Sequence, residues 1–301
     1  MATLSKETLA QIRHIQIQST QLAKDLLAGA YRSAFKGRGM EFEEVREYQP
    51  GDEFRSIDWS VTARMNHPYV KTFREERDLN VVLLIDVSAS TRFGSRFGLK
   101  KELIAEIGAV LAFSAMRNQD RVSLILFSDH VEKYVPSRKG NRHVLRLVRE
   151  LLVHEPQGKG SDLKEALSFL GKIYRKSSIC FLISDFLYPL PEKALAVTAK
   201  QHDLVAISVW DICEKKFPKI GLVQMKDLET GREELIDTSA YGLEGHFQEN
   251  ALEHTTRLAN LMRKIDAGFI DVTTKESYLL SLKRFFQFRK RTITTPRTLT
   301  T

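Results

Sequence analysis

At 301 residues, with 43% apolar side chains and only two cysteines, the chain is long enough to bury a large α/β core and carries no disulfide scaffold. Cys180 and Cys213 lack the close spacing of a zinc site, no apolar run reaches the ~18 residues that span a bilayer, and no signal-peptide block opens the chain, so a cytoplasmic protein is expected. The net charge of +8 sits at the ends: residues 1–38 contribute +4 and residues 283–301 contribute +6, which leaves the body at −2 and argues against a surface that reads nucleic-acid bases.

Leu9, Ile12, Ile15, Leu22 and Leu26 recur at three- and four-residue steps, which predicts one amphipathic helix over residues 1–36, docked on the body or on a partner. Gly37 and Gly39 break it. Residues 37–78 read as a small β-rich appendage. Strand-like pieces at Met40–Glu47 and Pro68–Arg77 flank the segment Tyr48–Trp59, whose Pro50-Gly51-Asp52 is a turn signal.

The main domain is predicted over residues 79–290. Leu79–Asp86 is a continuous branched apolar run, as in a strand covered on both faces. A helix over Leu99–Arg117 follows, then strands at Arg121–Ser128 and Val131–Val135 and a helix over Arg142–Leu152. Next come a helix over Leu163–Tyr174, a strand Ile179–Ser184, a helix over Pro191–Gln201 and a strand Leu204–Trp210. A hairpin over residues 220–237 turns at Thr230-Gly231, and a helix over Gly245–Ile265, a strand Gly268–Val272 and a helix over Lys275–Arg289 complete the domain. Alternating strands and helices predict an α/β fold with a doubly wound, mostly parallel sheet. The Thr-rich residues 291–301 are expected to form a mobile tail.

In such a sheet, ligands bind beyond the carboxyl ends of the strands. The first strand ends in Asp86-Val87-Ser88-Ala89-Ser90, the strand Ile179–Ser184 ends in Asp185, and Gly158-Lys159-Gly160-Ser161-Asp162 precedes a helix. Two carboxylates and three hydroxyls are thus expected at one rim. All are hard oxygen donors, suited to Mg²⁺ first and to Mn²⁺ or Ca²⁺ as alternatives. A cation held mostly by neutral hydroxyls stays under-neutralised and attracts a carboxylate from outside. Asp162 either adds charge there or caps the following helix.

These residues resemble the metal-ion-dependent adhesion site of von Willebrand factor A domains, in which Asp-x-Ser-x-Ser is followed by a Thr and then an Asp. Asp86, Ser88 and Ser90 match the first element and Asp185 the last, while Ser161 stands where Thr is expected. The run Gly37–Asp52, then Arg55-Ser56-Ile57-Asp58-Trp59, then Tyr69–Asp78 is similar to domain-of-unknown-function family fifty-eight, over about residues 30–290. That resemblance implies a von Willebrand factor A / Rossmann-like domain acting as a non-catalytic adaptor with a MoxR-type AAA+ ATPase, in complex assembly or maturation, with peripheral contact at the inner membrane allowed. Within the family-like segment, Asp52, Arg55 and Asp58 are expected to form an ion-pair network pinning the appendage to the main domain, with Trp59 packed in the seam. A partner-binding role for the same four residues is the alternative.

Two rival functions remain on the residues. An aspartyl-phosphate phosphotransferase would need a second carboxylate two residues after Asp86, where Ser88 stands; the phosphate-loop glycine is missing because position 153 is Val, and for a hydrolase Gly94-Ser95-Arg96-Phe97-Gly98 has the wrong spacing for a Gly-x-Ser-x-Gly elbow. A basic-tailed polyanion binder would use Phe285, Phe286 and Phe288 among Lys283, Arg284, Arg289, Lys290 and Arg291, but an apolar helix face with a basic C-terminus explains the same pattern. Catalysis and specific nucleic-acid binding are therefore not expected.

Overall fold

The strand β3 (Asn80–Asp86) divides its side chains between two cores: Val81, Leu83 and Ile85 enter one, and Val82 and Leu84 the other. This is the physical meaning of a continuous apolar run, since a strand with helices on both faces has no side left for polar residues. The computed structural model describes residues 14–15, 17–22, 31, 34–35, 40–75, 79–95, 98–216, 218–228, 231–241 and 243–294.

Before β3, the strands β1 (Met40–Glu47) and β2 (Tyr69–Glu75) pair antiparallel, and a short helix, α1 (Trp59–Met65), lies between them. The sequence pattern missed α1. Its N-cap, Asp58, accepts from the amides of Ser60 and Val61, the usual way a carboxylate starts a helix. After β3 come a two-residue hairpin, β4 (Gly94–Ser95) with β5 (Gly98–Leu99), the long helix α2 (Lys100–Arg117), and strands β6 (Arg121–Phe127) and β7 (Val131–Arg138). Helices α3 (Asn141–Val153) and α4 (Leu163–Ile173) lead to β8 (Ile179–Ser184), α5 (Glu192–Gln201) and β9 (Asp203–Trp210). The chain ends with a short helix α6 (Ile212–Lys215), the hairpin β10 (Leu222–Lys226) with β11 (Glu233–Asp237), α7 (Leu243–Lys264), β12 (Gly268–Thr273) and α8 (Tyr278–Thr294).

The main sheet runs β12-β9-β8-β3-β6-β7, parallel throughout except for the antiparallel edge strand β7. The expected mixed α/β architecture is therefore present. From β3 the chain moves outward to β6 and β7, then returns to the opposite side of β3 at β8. That reversal opens the crevice beyond the carboxyl ends of β3 and β8, the place where a doubly wound sheet holds its ligands.

One core gathers α2, α3 and α8, the other α4, α5 and α7. Ile15, Tyr31, Ala34 and Phe35 belong to the first, so the helical N-terminal residues that are described pack against the body. Leu9, Ile12 and Leu26 lie outside the described residues. The last helix continues to Thr294 rather than stopping near Arg289, so the expected tail starts later, and residues 295–301 lie outside the description. On α8, Phe286 is fully buried and Phe285 partly so, while Phe288 is 72% exposed. The Arg289 guanidinium stacks on the Phe35 ring at 4.7 Å and pairs with Asp203. It thus serves the fold rather than a polyanion. Both cysteines are free thiols; burial in β8 pushes Cys180 up to about 12, which leaves it unreactive.

Candidate metal centre

Asp86 is the last residue of β3 and is 1% exposed. Its Oδ1 accepts the Ser88 amide at 2.9 Å, an Asx turn that bends the chain sharply off the strand. The Thr91 hydroxyl donates to the Ser88 carbonyl at 2.7 Å and tightens the 3₁₀ turn Ala89–Arg92. As a result, the Ser88 and Ser90 hydroxyls face the same space, 3.1 Å apart.

Ser161 arrives from the loop before α4. Glu132 on β7 holds that loop from below, its Oε1 accepting the amides of Gln157 and Gly158 and the Ser128 hydroxyl. From above, the Ala89 amide donates to the Lys159 carbonyl at 3.1 Å, and the Asp162 amide donates to the Ser128 carbonyl at 2.7 Å. The Ser161 hydroxyl then stands 3.5 and 3.4 Å from Asp86 Oδ1 and Oδ2. Asp162 is exposed, and its carboxylate caps α4 by accepting the Glu165 amide, so it acts as a helix cap.

The strand β8 contributes two residues. The Ser184 hydroxyl donates to Asp86 Oδ2 at 2.7 Å, a contact the sequence did not reveal because Ser184 reads as the strand's last residue. Asp185 lies beside it, fully buried, but its Oδ2 faces the ammonium of Lys100 at 2.8 Å. Lys100 Nζ also donates to Glu214 Oε1 at 2.7 Å. Neither Lys100 nor Glu214 was expected at the rim. A lysine opening a helix and a glutamate in a loop read as solvent residues until the topology stacks them.

The electrostatics separate the two aspartates. Burial, and then the neighbouring Asp185 charge, push the Asp86 carboxyl up to about 7; the hydrogen bonds from the Ser88 amide and the Ser184 hydroxyl, both neutral donors, pull it down without offsetting this. Burial would lower the Lys100 ammonium, but Asp185 and Glu214 outweigh it and hold the ammonium above its ordinary range. Among the described residues no three His, Cys, Asp or Glu side chains converge as metal ligands. One carboxylate and three hydroxyls converge instead. Adjacent oxygens around an octahedral Mg²⁺ lie about 3 Å apart, which follows from ~2.1 Å bonds at right angles. The separations of 3.1 Å between Ser88 and Ser90 and 3.4 Å between Ser161 and Asp86 suit such an ion. The donor set fits a hard divalent cation, and Asp86, Ser88, Ser90 and Ser161 are the residues that would hold it; Asp185, the fifth expected ligand, has its Oδ2 on the Lys100 ammonium instead.

The appendage residues behave differently from expectation. Asp52 pairs with Arg46 through two contacts of 2.7 and 2.8 Å, not with Arg55, which is exposed. Asp58 caps α1 and pairs with Lys71 at 3.1 Å. Both ion pairs lie inside the appendage, so the network expected to pin it to the main domain is replaced by pairs that shape the appendage itself. Trp59 is 60% exposed and meets Phe54, itself 67% exposed, edge to face at 5.7 Å. It does not fill a seam. It opens the helix that Asp58 caps and is largely exposed there.

A mostly parallel sheet with an Asp-x-Ser-x-Ser loop at its switch point makes this a von Willebrand factor A-like α/β domain. Residues 44–257 match the family described as "Protein of unknown function DUF58", and the chain belongs to that family. An uncharacterized protein of Mycobacterium tuberculosis is 31% identical over 287 residues, covering 94% of this chain and 90% of that one. A counterpart in Mycobacterium bovis has the same identity and coverage. Solved structures similar to the chain include BatB from Bacteroides thetaiotaomicron, at 12% identity and a TM-score of 0.43 over 71% of this chain and 99% of that one. The SpRpn10 VWA domain matches at 13% identity and a TM-score of 0.35 over 67% and 91%.

Proposed function

We propose that this protein is a non-catalytic adaptor that holds a divalent cation, Mg²⁺ in the first place, and uses it to bind an acidic side chain of a protein partner. The observation that carries this reading is Asp86, a buried carboxylate whose hydrogen bonds come from neutral donors, facing three hydroxyls at the switch point of the sheet. A buried anion of this kind is costly without a cation, and hydroxyl ligands leave the cation's charge largely unspent. The chemistry it supplies is attraction for an external carboxylate; the protein's residues fix where that carboxylate lands. Family resemblance supports a MoxR-type AAA+ ATPase as the partner, with complex assembly or maturation as the task. The adaptor is placed in the cytoplasm, with peripheral contact at the inner membrane at most; among the described residues no helix is long and apolar enough to cross a membrane.

The test is Mn²⁺ titration of the purified protein and of Asp86→Ala, with folding checked by circular dichroism. Binding lost in a folded Asp86→Ala supports the reading, and absence of Mn²⁺ binding by the native protein defeats it. Co-purification of an ATPase that survives both chelation and Asp86→Ala would separate the partnership from the metal.

A further inference from the structure

Lys100 is the first residue of α2, and its side chain is wholly buried. Its amide donates to the Phe93 carbonyl at 3.0 Å, and its ammonium lies 5.8 Å from the Phe93 ring centre, closed off from water. The ammonium joins Asp185, from the loop after β8, and Glu214, from the short helix α6 after β9. Glu214 is itself fixed, its Oε2 accepting the Asp211 amide at 2.8 Å.

The backbone around Asp185 is equally constrained. Phe186 is buried and takes a left-handed conformation at φ 56, which a bulky residue adopts only when its surroundings impose it. Its amide donates to the Ser184 hydroxyl at 2.9 Å, and its carbonyl faces His254 Nε2 at 2.9 Å. The Leu187 amide donates to Asp185 Oδ1 at 3.3 Å. Asp185 therefore has an amide on one oxygen and an ammonium on the other, whereas Asp86 has only neutral donors.

From this division we infer that Lys100 sets the affinity of the metal centre: its ammonium, shared with Glu214, offsets part of the Asp185 charge, so that Asp86 is the carboxylate without a cationic partner that faces a bound divalent cation. The inference rests on the metal-binding reading above and deepens it. A cation flanked by two unpaired carboxylates would be bound tightly and left with little attraction for a third. A cation facing one carboxylate and one carboxylate–ammonium pair is bound less tightly and keeps charge for the partner's acidic group. Lys100 is thus a positioning residue, acting on the cation through Asp185.

Mn²⁺ affinity is measured by electron paramagnetic resonance for the native protein, Lys100→Met, Asp185→Asn and the double variant Lys100→Met/Asp185→Asn. Lys100→Met is expected to bind Mn²⁺ at least tenfold more tightly, a gain that damage to the fold would not produce. The gain should vanish in the double variant, and Asp185→Asn alone should weaken binding less than tenfold. If Lys100→Met does not fold, Lys100→Met/Glu214→Gln removes one charge of each sign and should show the same gain. Native binding with no gain in either Lys100 variant would overturn the inference, as would loss of binding in Asp185→Asn. If neither the native protein nor a Lys100 variant binds Mn²⁺, the metal-binding reading falls and takes this one with it.

Discussion

Glu132 Oε1 accepts the Gly158 amide at 2.8 Å and the Gln157 amide at 2.9 Å, and the two contacts help hold the loop that carries Ser161. Burial alone would raise the Glu132 carboxyl, but the donors around it hold it below its ordinary range, so it remains an anion beneath the loop. Gly158 has no room for a side chain: a Cβ there would stand 2.3 Å from both Asp129 Oδ1 and Ser128 Oγ. In Gly158→Ala the Ser128 and Asp129 side chains or the loop itself must shift, and a shift of the loop carries Ser161 away from Asp86. Mn²⁺ affinity should fall about tenfold while stability drops by only ~1 kcal/mol, since the strain is local to a surface loop. Titration beside a thermal melt checks both; unchanged affinity would show that the Ser128 and Asp129 side chains, not the loop, make room for the methyl group.

Asp86 yields a prediction about pH. Its folded-state value of about 7 lies above the ordinary 3.8, so the folded protein holds a proton here that the unfolded chain has released. Stability from this group is fully present below about pH 4 and is lost as pH rises through about 7. In metal-free protein at pH 8, Asp86→Asn should be more stable than the native chain by roughly 1–3 kcal/mol, because a buried unpaired charge has been removed. The Ser184 hydroxyl can turn to accept from the new amide, so no donor is stranded. Melts of both proteins in chelator from pH 5 to 8 should diverge as pH rises. Curves that stay parallel would mean that the carboxylate is already compensated.

Much of this was legible in the sequence because burial on both faces leaves a simple mark. The branched runs of β3, β8 and β9 identify the parallel sheet, and Asp86, Ser88 and Ser90 follow the first of them directly. Ser161 could be placed because a helix signal follows it. Lys100 and Glu214 could not, since they lie 114 residues apart and neither has a local pattern that marks it as buried. Trp59 misled for a related reason. An aromatic residue beside charged ones reads as the centre of a seam, yet the helix that Asp58 starts turns Trp59 outward.

That outward position has a direct consequence. Trp59→Ala removes a ring that contacts Phe54 but fills no core, so stability should change by less than about 0.5 kcal/mol, as for other surface substitutions. Asp58→Ala, by contrast, removes both the α1 cap and the partner of Lys71, and should cost about 1 kcal/mol or more. Thermal melts of the two variants would reverse this order only if Trp59 were buried in the folded protein.

Phe286 ties the N-terminal residues to the last helix. Its ring meets Tyr31 at 5.8 Å, Phe35 at 5.8 Å and Phe181 of β8 at 6.4 Å, each edge to face. Phe286→Ala empties the middle of this cluster and should destabilise the protein by ~3–5 kcal/mol, the usual cost of deleting a fully buried aromatic ring. Tyr31 and Phe35 would lose a shared neighbour, so trypsin cleavage at Arg32 or Lys36 should quicken more than cleavage within the sheet. Phe288→Ala, two residues on and largely exposed, should leave both the melt and the cleavage pattern near those of the native chain. Equal cleavage rates in native protein and Phe286→Ala would mean that the N-terminal residues are held by contacts other than this ring.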